Sequence, residues 1–325
     1  MTVLFPSELS ELESEMMQGL AAVEARLRSE IKSNYQLADV TARHLVEAGG
    51  KRFRPLLVLL ASQFGDANAP GIVPAAVVVE LTHLATLYHD DVMDEATVRR
   101  GAQSANSRWG NTVAILSGDF LFARSSALLA DLGPEAVRVQ AETFERLVIG
   151  QLRETVGPVD GEDPVTHHLE VLADKTGSLI AAAARYGAMM SGVTEDLTNR
   201  LSEFGESIGI AFQLSDDLLD IESTVSGKAP GTDLREGIKT LPVLLALADQ
   251  STDSRLRELL SKPLTDDSEH AEALQALRAH DAMSQARAVL QQWTDKARLL
   301  LGALPEIPAK RALVVLCDSV ENRSI

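Results

Sequence analysis

Apolar residues recur at intervals of three and four near the start of the chain. This stripe consists of Leu9, Leu12, Met16, Leu20, Val23, Leu27 and Ile31. An α-helix has about 3.6 residues per turn, so these side chains would share one helix face. The pattern therefore predicts an amphipathic first helix.

The same helical period continues along the rest of the chain. It predicts further helices at 36–48, 54–64, 72–95, 112–131, 135–156, 165–175, 178–192, 195–221, 241–249, 254–261, 268–279, 281–303 and 307–321. Strand-like alternation is missing, and valine clusters such as 77–79 lie inside longer helical windows. The breaks are too short to be interdomain linkers. The sequence thus predicts an all-α fold, with a single domain over residues 1–325 built as one large helical bundle.

Composition narrows the functional classes. The 325 residues include 30 Lys+Arg and 47 Asp+Glu, a net charge of −17, which would repel nucleic-acid backbones and anionic lipid surfaces. We therefore expect no nucleic-acid partner. The single cysteine, Cys317, has apolar neighbours and is expected to be a buried structural thiol in a reducing compartment. Without a basic leader or an apolar run near ~20 residues, the chain is predicted to be cytoplasmic, with no membrane anchor.

Two segments with the pattern DDxxD interrupt otherwise apolar helices. They contain Asp90, Asp91 and Asp94 in the first motif and Asp216, Asp217 and Asp220 in the second. In a helix, the first and last aspartates of each motif lie about 40° apart on one face. A solvated acidic helix end would explain either motif alone, but two copies in one chain are poorly explained by chance.

Clustered carboxylates are typical ligands of hard cations. No cysteine and only one histidine, His89, lie near the motifs, which argues against a zinc site. Magnesium takes one or two carboxylates together with phosphate oxygens and water. The motifs therefore indicate a phosphate-bearing substrate bridged by several Mg²⁺ ions.

Basic residues form two tight groups in this acidic chain. Lys51, Arg52 and Arg54 belong to GGKRFRP, and Arg99 and Arg100 follow the first aspartate motif. Arginine suits bidentate phosphate recognition, and lysine acts as a point charge. A solvated basic turn would explain either group in isolation, but beside a carboxylate-metal site a second anion pocket is the better interpretation.

The order and spacing of these motifs resemble the trans-type isoprenyl diphosphate synthases. GGKRFRP is followed by a histidine seven residues before the first DDxxD, then RRG, Lys175-Thr176, FQLSDDLLD and GKAPGTDL. The resemblance covers residues 49–242. It implies an all-α bundle around a central cavity, a homodimer, and condensation of isopentenyl diphosphate with an allylic diphosphate by ionisation, condensation and elimination.

The resemblance also implies roles for individual positions. Asp90, Asp94 and Asp216 match the main Mg²⁺ ligands, and Asp91, Asp217 and Asp220 match secondary ligands that act partly through water. About three Mg²⁺ ions would bind together with the allylic diphosphate. The isopentenyl diphosphate pocket would contain Lys51, Arg54, His83 and Arg100. Arg99 would hold the allylic diphosphate, and the catalytic residues Lys175, Thr176, Gln213 and Lys228 would stabilise that diphosphate and the nascent cation.

One loop departs from the family pattern. The family commonly continues as GKxxGxDLxEGKxTLP, whereas this chain reads GKAPGTDLREGIKTLP. Ile238 stands at the usual lysine, and Lys239 follows one place later. The role of a second loop lysine is therefore left open.

Product length is expected to depend on Ala85 and Thr86, five and four residues before Asp90. Both are small, and the absence of a bulky aromatic resembles the medium- and long-chain enzymes. We expect products of roughly thirty to fifty carbons grown from farnesyl or geranylgeranyl diphosphate, with Val78, Val79 and Leu81 as a deeper floor. So long a product also predicts transient membrane contact during release.

Several alternatives stay open. A shorter-chain synthase making geranylgeranyl or farnesyl diphosphate would share every motif. A class I terpene cyclase or a head-to-head synthase would share the aspartates but has no need of the isopentenyl pocket. A non-catalytic partner subunit of a heteromeric synthase typically loses motif aspartates, and all six are present here. An acidic scaffold that only binds divalent cations would leave the basic groups unexplained.

Overall fold

Most of the described residues lie in helices. A computed structural model describes residues 7–222 and 230–324. Its α-helices are α1 (Ser10–Glu30), α2 (Gln36–Glu47), α3 (Phe53–Ser62), α4 (Ile72–Met93), α5 (Ala105–Trp109), α6 (Asn111–Leu132), α7 (Pro134–Val156), α8 (Pro164–Leu172), α9 (Ser178–Met190), α10 (Glu195–Glu222), α11 (Thr232–Glu236), α12 (Leu241–Ala248), α13 (Ser254–Leu260), α14 (Asp267–Ala279), α15 (Ala282–Gly302) and α16 (Pro308–Glu321). The all-α prediction is confirmed.

Short elements complete this order. Two-residue strands β1 (Val98–Arg99) and β2 (Ala102–Gln103) pair antiparallel, and 3₁₀ turns cover Ser7–Leu9 and Asn322–Ser324. A π-helical segment, Ala173–Gly177, joins α8 to α9 without a break. The hairpin, α5 and α11 all lie in segments that the periodicity assigned to loops, because each is too short to show a repeating pattern.

The helices form two compact units. The first unit contains residues 1–144, 179–202 and 304–313, and the second contains residues 145–178, 203–303 and 314–325. The single-domain organisation stays a prediction.

In the first unit, α4 is the central helix and packs against α1, α3 and α6. It is buried on all sides between Ala75 and Leu84, apart from His83, which explains why its sequence is apolar all round rather than amphipathic. The stripe predicted on α1 is confirmed, since Leu12, Met16, Val23 and Leu27 are buried.

The core of the second unit is built on the C-terminal half of α10. Leu214, Leu218 and Ile221 are buried there at helical spacing, and α12 packs against α8 and α15. Cys317 on α16 is free and fully buried. Burial raises the pKa of its thiol to about 12, so this cysteine has the structural character expected of it.

In the part of the chain that the structure describes, two helices meet the length and hydropathy of a membrane span. They are α4 and α6, of 22 residues each, and 67% of the apolar window of α4 is buried within the protein. The expectation that no apolar stretch approaches this length was therefore wrong. Isolated polar residues such as Glu80 interrupt the apolar run but lower the mean hydropathy of the helix only slightly.

Candidate active site

The first aspartate motif occupies the C-terminal end of α4. The helix ends at Met93, and the backbone N–H of Asp94 donates to the carbonyl oxygen of Asp90 at 2.8 Å. The carboxylate of Asp94 is exposed, that of Asp90 is partly exposed, and Asp91 is fully buried. The three carboxylates therefore meet very different surroundings within one turn of helix.

Asp91 is held by Arg99. The Nε atom of Arg99 lies 2.5 Å from Oδ1 of Asp91, and its Nη2 lies 3.9 Å from the carboxylate of Asp94. Burial raises the pKa of Asp91, while the charge and hydrogen bond of Arg99 oppose that rise. The other oxygen, Oδ2, is buried without a hydrogen-bond partner among the described residues.

A tight hairpin brings the two arginines back toward α4 and α2. Val98 pairs with Gln103 and Arg99 with Ala102, which leaves a two-residue turn. Both turn residues have positive φ angles, 53° at Arg100 and 77° at Gly101, as the right-handed twist of a type I′ hairpin requires. Arg100 then donates to the carbonyl oxygens of Leu45, at 3.1 Å, and Gly49.

A cationic cluster surrounds His83 on α4. Burial lowers the pKa of His83 well below 6.5, and the neighbouring charges, chiefly those of Arg54 and Arg100, add to the change, so this histidine is neutral near pH 7. Burial also lowers the pKa of Arg54 to about 10, with Glu80 opposing the change and Arg100 adding to it. The buried Nε of Arg54 has no hydrogen-bond partner among the described residues. Lys51 lies nearby in sequence and is exposed.

Residues Lys175 and Thr176 lie in the π-helical segment of the second unit. π-turns inside α-helices occur frequently at functional sites. The backbone here is braced by Arg146, whose Nε lies 2.8 Å from Oδ1 of Asp174 and whose Nη2 donates to the carbonyl oxygen of Ala173 at 3.3 Å. Lys175 forms an ion pair with Glu154.

The second aspartate motif, on α10, has a different partner for each carboxylate. Asp216 pairs with Arg323 at 3.0 Å, and that guanidinium also stacks over the ring of Phe212 at 4.6 Å. Asp220 accepts from the backbone N–H groups of Thr232 and Asp233, both at 3.1 Å, at the start of α11.

Asp217, the middle aspartate, is buried and has two side-chain partners. Nε2 of His168 lies 3.1 Å from its Oδ2, and Nε2 of Gln213 donates to its Oδ1 at 3.3 Å. The structure thus brings Gln213 and Asp217 together. Lys228, assigned to the same group of residues from the sequence, lies outside the described residues.

The two small residues before the first motif differ in exposure. Ala85 is fully buried, whereas Thr86 is partly exposed and its hydroxyl donates to the carbonyl oxygen of His83 at 2.8 Å. Val78, Val79 and Leu81 are fully buried in the core of the same unit.

The carboxylates suit a hydrated Mg²⁺ ion better than a closed protein cage. Within residues 7–222 and 230–324, no three His, Cys, Asp or Glu side chains are grouped closely enough to hold a metal alone. Mg²⁺ prefers few carboxylates, several waters and phosphate oxygens. The exposed carboxylate of Asp94 and the unpartnered Oδ2 of Asp91 fit that requirement.

Sequence reasoning missed three residues next to the predicted site. His168 was not singled out, although its imidazole touches an aspartate of the second motif. Glu80 was overlooked, and Arg52 was noted only as part of a basic cluster, yet the two form a salt bridge of 2.6 Å. Glu80 is a charged residue in an otherwise apolar helix, three residues before His83. This position was the sequence signal that it pairs with a nearby cation.

Known proteins are similar to this chain in sequence and in fold. Residues 36–277 match the polyprenyl synthetase family model. A nonaprenyl diphosphate synthase from Mycobacterium tuberculosis is 51% identical over 309 residues, covering 94% of this chain and 92% of that protein.

Two crystal structures give the same result. A geranylgeranyl pyrophosphate synthase from Corynebacterium glutamicum, complexed with calcium and isoprenyl diphosphate, is 44% identical, with a TM-score of 0.87 and coverage of 97% of this chain and 98% of that one. A decaprenyl diphosphate synthase from Rhodobacter capsulatus is 35% identical, with a TM-score of 0.88 and coverage of 97% and 99%. The chain therefore belongs to the polyprenyl synthetase family and is a prenyltransferase.

Proposed function

We propose that this enzyme condenses isopentenyl diphosphate with an allylic diphosphate, from farnesyl or geranylgeranyl diphosphate onward, to give an all-trans polyprenyl diphosphate. The observation that carries the proposal is the cationic cluster around His83. The hairpin of β1 and β2, which carries Arg99 and Arg100, links this cluster to the first aspartate motif. A cyclase needs only the aspartates, whereas a condensing enzyme needs a second diphosphate pocket without metal.

In this proposal, Lys51, Arg54, His83 and Arg100 hold isopentenyl diphosphate. A neutral His83 can donate one hydrogen bond without adding to the repulsion among the guanidinium groups around it. The fixed turn at Arg100 limits the freedom of that side chain before substrate arrives, which favours an orientation ready for attack.

The allylic diphosphate is assigned to the aspartate motifs. Asp90, Asp94 and Asp216 would hold about three Mg²⁺ ions, with Asp91, Asp217 and Asp220 acting mainly through water. Bound Mg²⁺ would supply Lewis-acid stabilisation of the leaving diphosphate. Asp91 and Asp217 are better suited to a supporting role, because each is buried and already bonded to a neighbouring side chain.

Arg99, Lys175 and Lys228 would bind the same diphosphate, and Thr176 and Gln213 would stabilise the developing allylic cation. Oxygen atoms of a hydroxyl and an amide can face positive charge without a proton transfer. The proton lost at the end would leave with the diphosphate.

Product length follows from the small residues Ala85 and Thr86. With no aromatic side chain there, we propose products of thirty to fifty carbons, a range that fits the names of the long-chain relatives. One similar structure is a geranylgeranyl pyrophosphate synthase. A shorter product is therefore the second candidate.

Assembly and location are also proposals. Ile115 and Leu116 on α6 are 42% and 60% exposed, and burying such apolar side chains in a homodimer would be favourable. We place the enzyme in the cytoplasm, where its buried single thiol needs no disulfide partner. The apolar product implies brief membrane contact at release.

Elongation by the purified protein tests the function. Labelled isopentenyl diphosphate and Mg²⁺ are supplied with dimethylallyl, geranyl, farnesyl or geranylgeranyl diphosphate in separate reactions, and dephosphorylated products are separated by chain length. Elongation of farnesyl or geranylgeranyl diphosphate is expected. Cyclised products would favour a cyclase, and no elongation by folded protein would favour a non-catalytic partner subunit.

A further inference from the structure

Arg52 lies in the middle of the basic motif but is turned away from solvent. Its backbone, just before α3, has a φ angle of 47° in the left-handed region. All three terminal donor positions are occupied: Nη1 lies 2.6 Å from Oε1 of Glu80, Nε lies 3.0 Å from Oε2 of Glu24, and Nη2 donates to the carbonyl oxygen of Val46 at 3.1 Å. This guanidinium is committed to protein partners.

Glu80 is the buried member of this group. Its side chain is 3% exposed and that of Arg52 12% exposed, whereas Glu24 retains 30% exposure. Glu80 also stabilises the charged forms of Arg54 and Arg100 through its own charge. A buried carboxylate that lost Arg52 would need another cation, because an uncompensated buried charge is strongly unfavourable.

The cations available to replace Arg52 are those of the substrate pocket. Arg54 has a buried Nε without a hydrogen-bond partner among the described residues. An unpaired Glu80 would attract Arg54 or Arg100, and either movement would take a donor away from a bound diphosphate. The pairing of Arg52 with Glu80 therefore does more than hold α3 to α4. It also leaves the donors of the pocket available to a bound diphosphate.

We propose that Arg52 is a positioning residue for the isopentenyl diphosphate pocket: by neutralising Glu80, it keeps Arg54 and Arg100 available for the substrate's diphosphate. This inference rests on the proposed function, because it concerns the same pocket. Arg52 itself does not touch the substrate. Of the adjacent residues of GGKRFRP, Lys51 and Arg54 bind the diphosphate and Arg52 supports them.

The test combines three variants. R52M leaves Glu80 unpaired, E80Q removes the buried charge, and R52M/E80M replaces both members of the pair with apolar side chains, a change that proteins often tolerate. R26M is the matched control, since Arg26 is 46% exposed and, within residues 7–222 and 230–324, forms its salt bridge with Glu30, one turn away at 2.7 Å. Circular dichroism and thermal unfolding establish which variants fold.

Two readouts are used. The first is KM for isopentenyl diphosphate and for farnesyl diphosphate in the elongation reaction. The second is calorimetric binding of isopentenyl diphosphate in EDTA, which excludes any contribution of the metal site. A purely structural role would change both KM values together, or only the stability.

We expect R52M to weaken isopentenyl diphosphate binding at least about tenfold, with KM for farnesyl diphosphate changed less than about threefold. E80Q and R52M/E80M should bind isopentenyl diphosphate within about threefold of the wild type, or more tightly, because the competing carboxylate is gone. R26M should match the wild type.

Weak isopentenyl diphosphate binding by a folded R52M/E80M protein would overturn the inference, since it would mean that Arg52 contributes directly. This comparison decides the question even if R52M does not fold. Wild-type protein that neither binds isopentenyl diphosphate nor elongates any primer would instead contradict the proposed function, and the inference with it.

Discussion

His168 determines where a buried aspartate of the second motif points. Its imidazole lies 3.1 Å from Asp217, and Gln213 holds the other carboxylate oxygen. Groups that orient metal-binding carboxylates commonly affect metal affinity about 10–100-fold when removed. His168 is 49 residues away in sequence, so its pairing with Asp217 could not be found from the motif itself.

We expect H168A to raise the Mg²⁺ concentration needed for half-maximal activity about tenfold, with a smaller effect on the maximal rate. H167A is the matched control, because His167 bonds to Glu162 and the carbonyl oxygen of Arg153 instead. Protection of the protein against thermal unfolding by Mg²⁺ and inorganic diphosphate gives a readout independent of turnover. Equal Mg²⁺ requirements in the two variants would argue against this role.

His83 makes stability depend on pH in a specific direction. The folded protein holds the pKa of His83 well below 6.5, so the unfolded chain takes up a proton that the folded chain refuses. The contribution of His83 is therefore complete above about pH 6.5 and is lost progressively as the pH falls below that value.

We expect the wild type to lose free energy of unfolding between about pH 7.5 and about pH 5.5, and H83N to lose less over the same range. Urea unfolding at the two pH values measures the difference. H270N offers a comparison, since His270 is also buried but bonds to the carbonyl oxygen of Gly231. An equal fall in wild type and H83N would show that folding does not lower the pKa of His83.

The face of α4 that carries Thr86 is expected to limit product growth. Thr86 is partly exposed, whereas a Cβ on Gly118 of α6 would lie 3.0 Å from the carbonyl oxygen of Ala85, so α6 approaches α4 closely at Ala85. A phenylalanine at position 86 therefore has more room to enter the proposed cavity without overpacking the contact between α4 and α6.

We expect T86F to shift the main product to a shorter chain by several isoprene units, while elongation of short primers continues. T155F, at an exposed position of α7, should leave product length unchanged. Chromatography of dephosphorylated products measures both. Unchanged product length in both T86F and A85F would show that these two positions do not limit the growth of the product.

Gly150 allows α7 to pass close to the π-helical segment. A Cβ at this position would lie 2.6 Å from the backbone nitrogen of Lys175 and 3.0 Å from the carbonyl carbon of Asp174. In a helix without such a contact, alanine is more stable than glycine by about 1 kcal/mol. The close backbone contact reverses that preference.

We expect G150A to be destabilised by about 1–3 kcal/mol, because backbone atoms cannot move aside as a flexible side chain can. G302A in α15 is the control, since a Cβ there meets nothing within 4 Å, and it should be neutral or stabilising. Denaturant unfolding compares the two. A stabilised G150A would mean that the two segments lie farther apart.

What the sequence could predict depended on how local each signal was. The stripe on α1 and the two aspartate motifs are repeated local patterns, and they led to the correct fold class and family. The hairpin at residues 98–103 was missed because its turn is Arg-Gly, not Asn-Gly, between strands of two residues. The π-helical segment was divided, because one helix was predicted to end at residue 175 and the next to begin at residue 178. The partnership of Arg52 with Glu80 spans 28 residues.

The proposed function requires both aspartate motifs to act on the same allylic diphosphate. Residues that work together on one reacting group show strongly non-additive losses when they are removed in combination.

The most direct test is kcat/KM for farnesyl diphosphate in the wild type, D90N, D216N and the double variant, at saturating Mg²⁺ and isopentenyl diphosphate. D196N, on an exposed part of α10, is the control. We expect a loss of about a thousandfold in each single variant and little further loss in the double variant. Near-wild-type activity in D90N or D216N, or losses that simply multiply in the double variant, would contradict a joint action of the two motifs on one diphosphate.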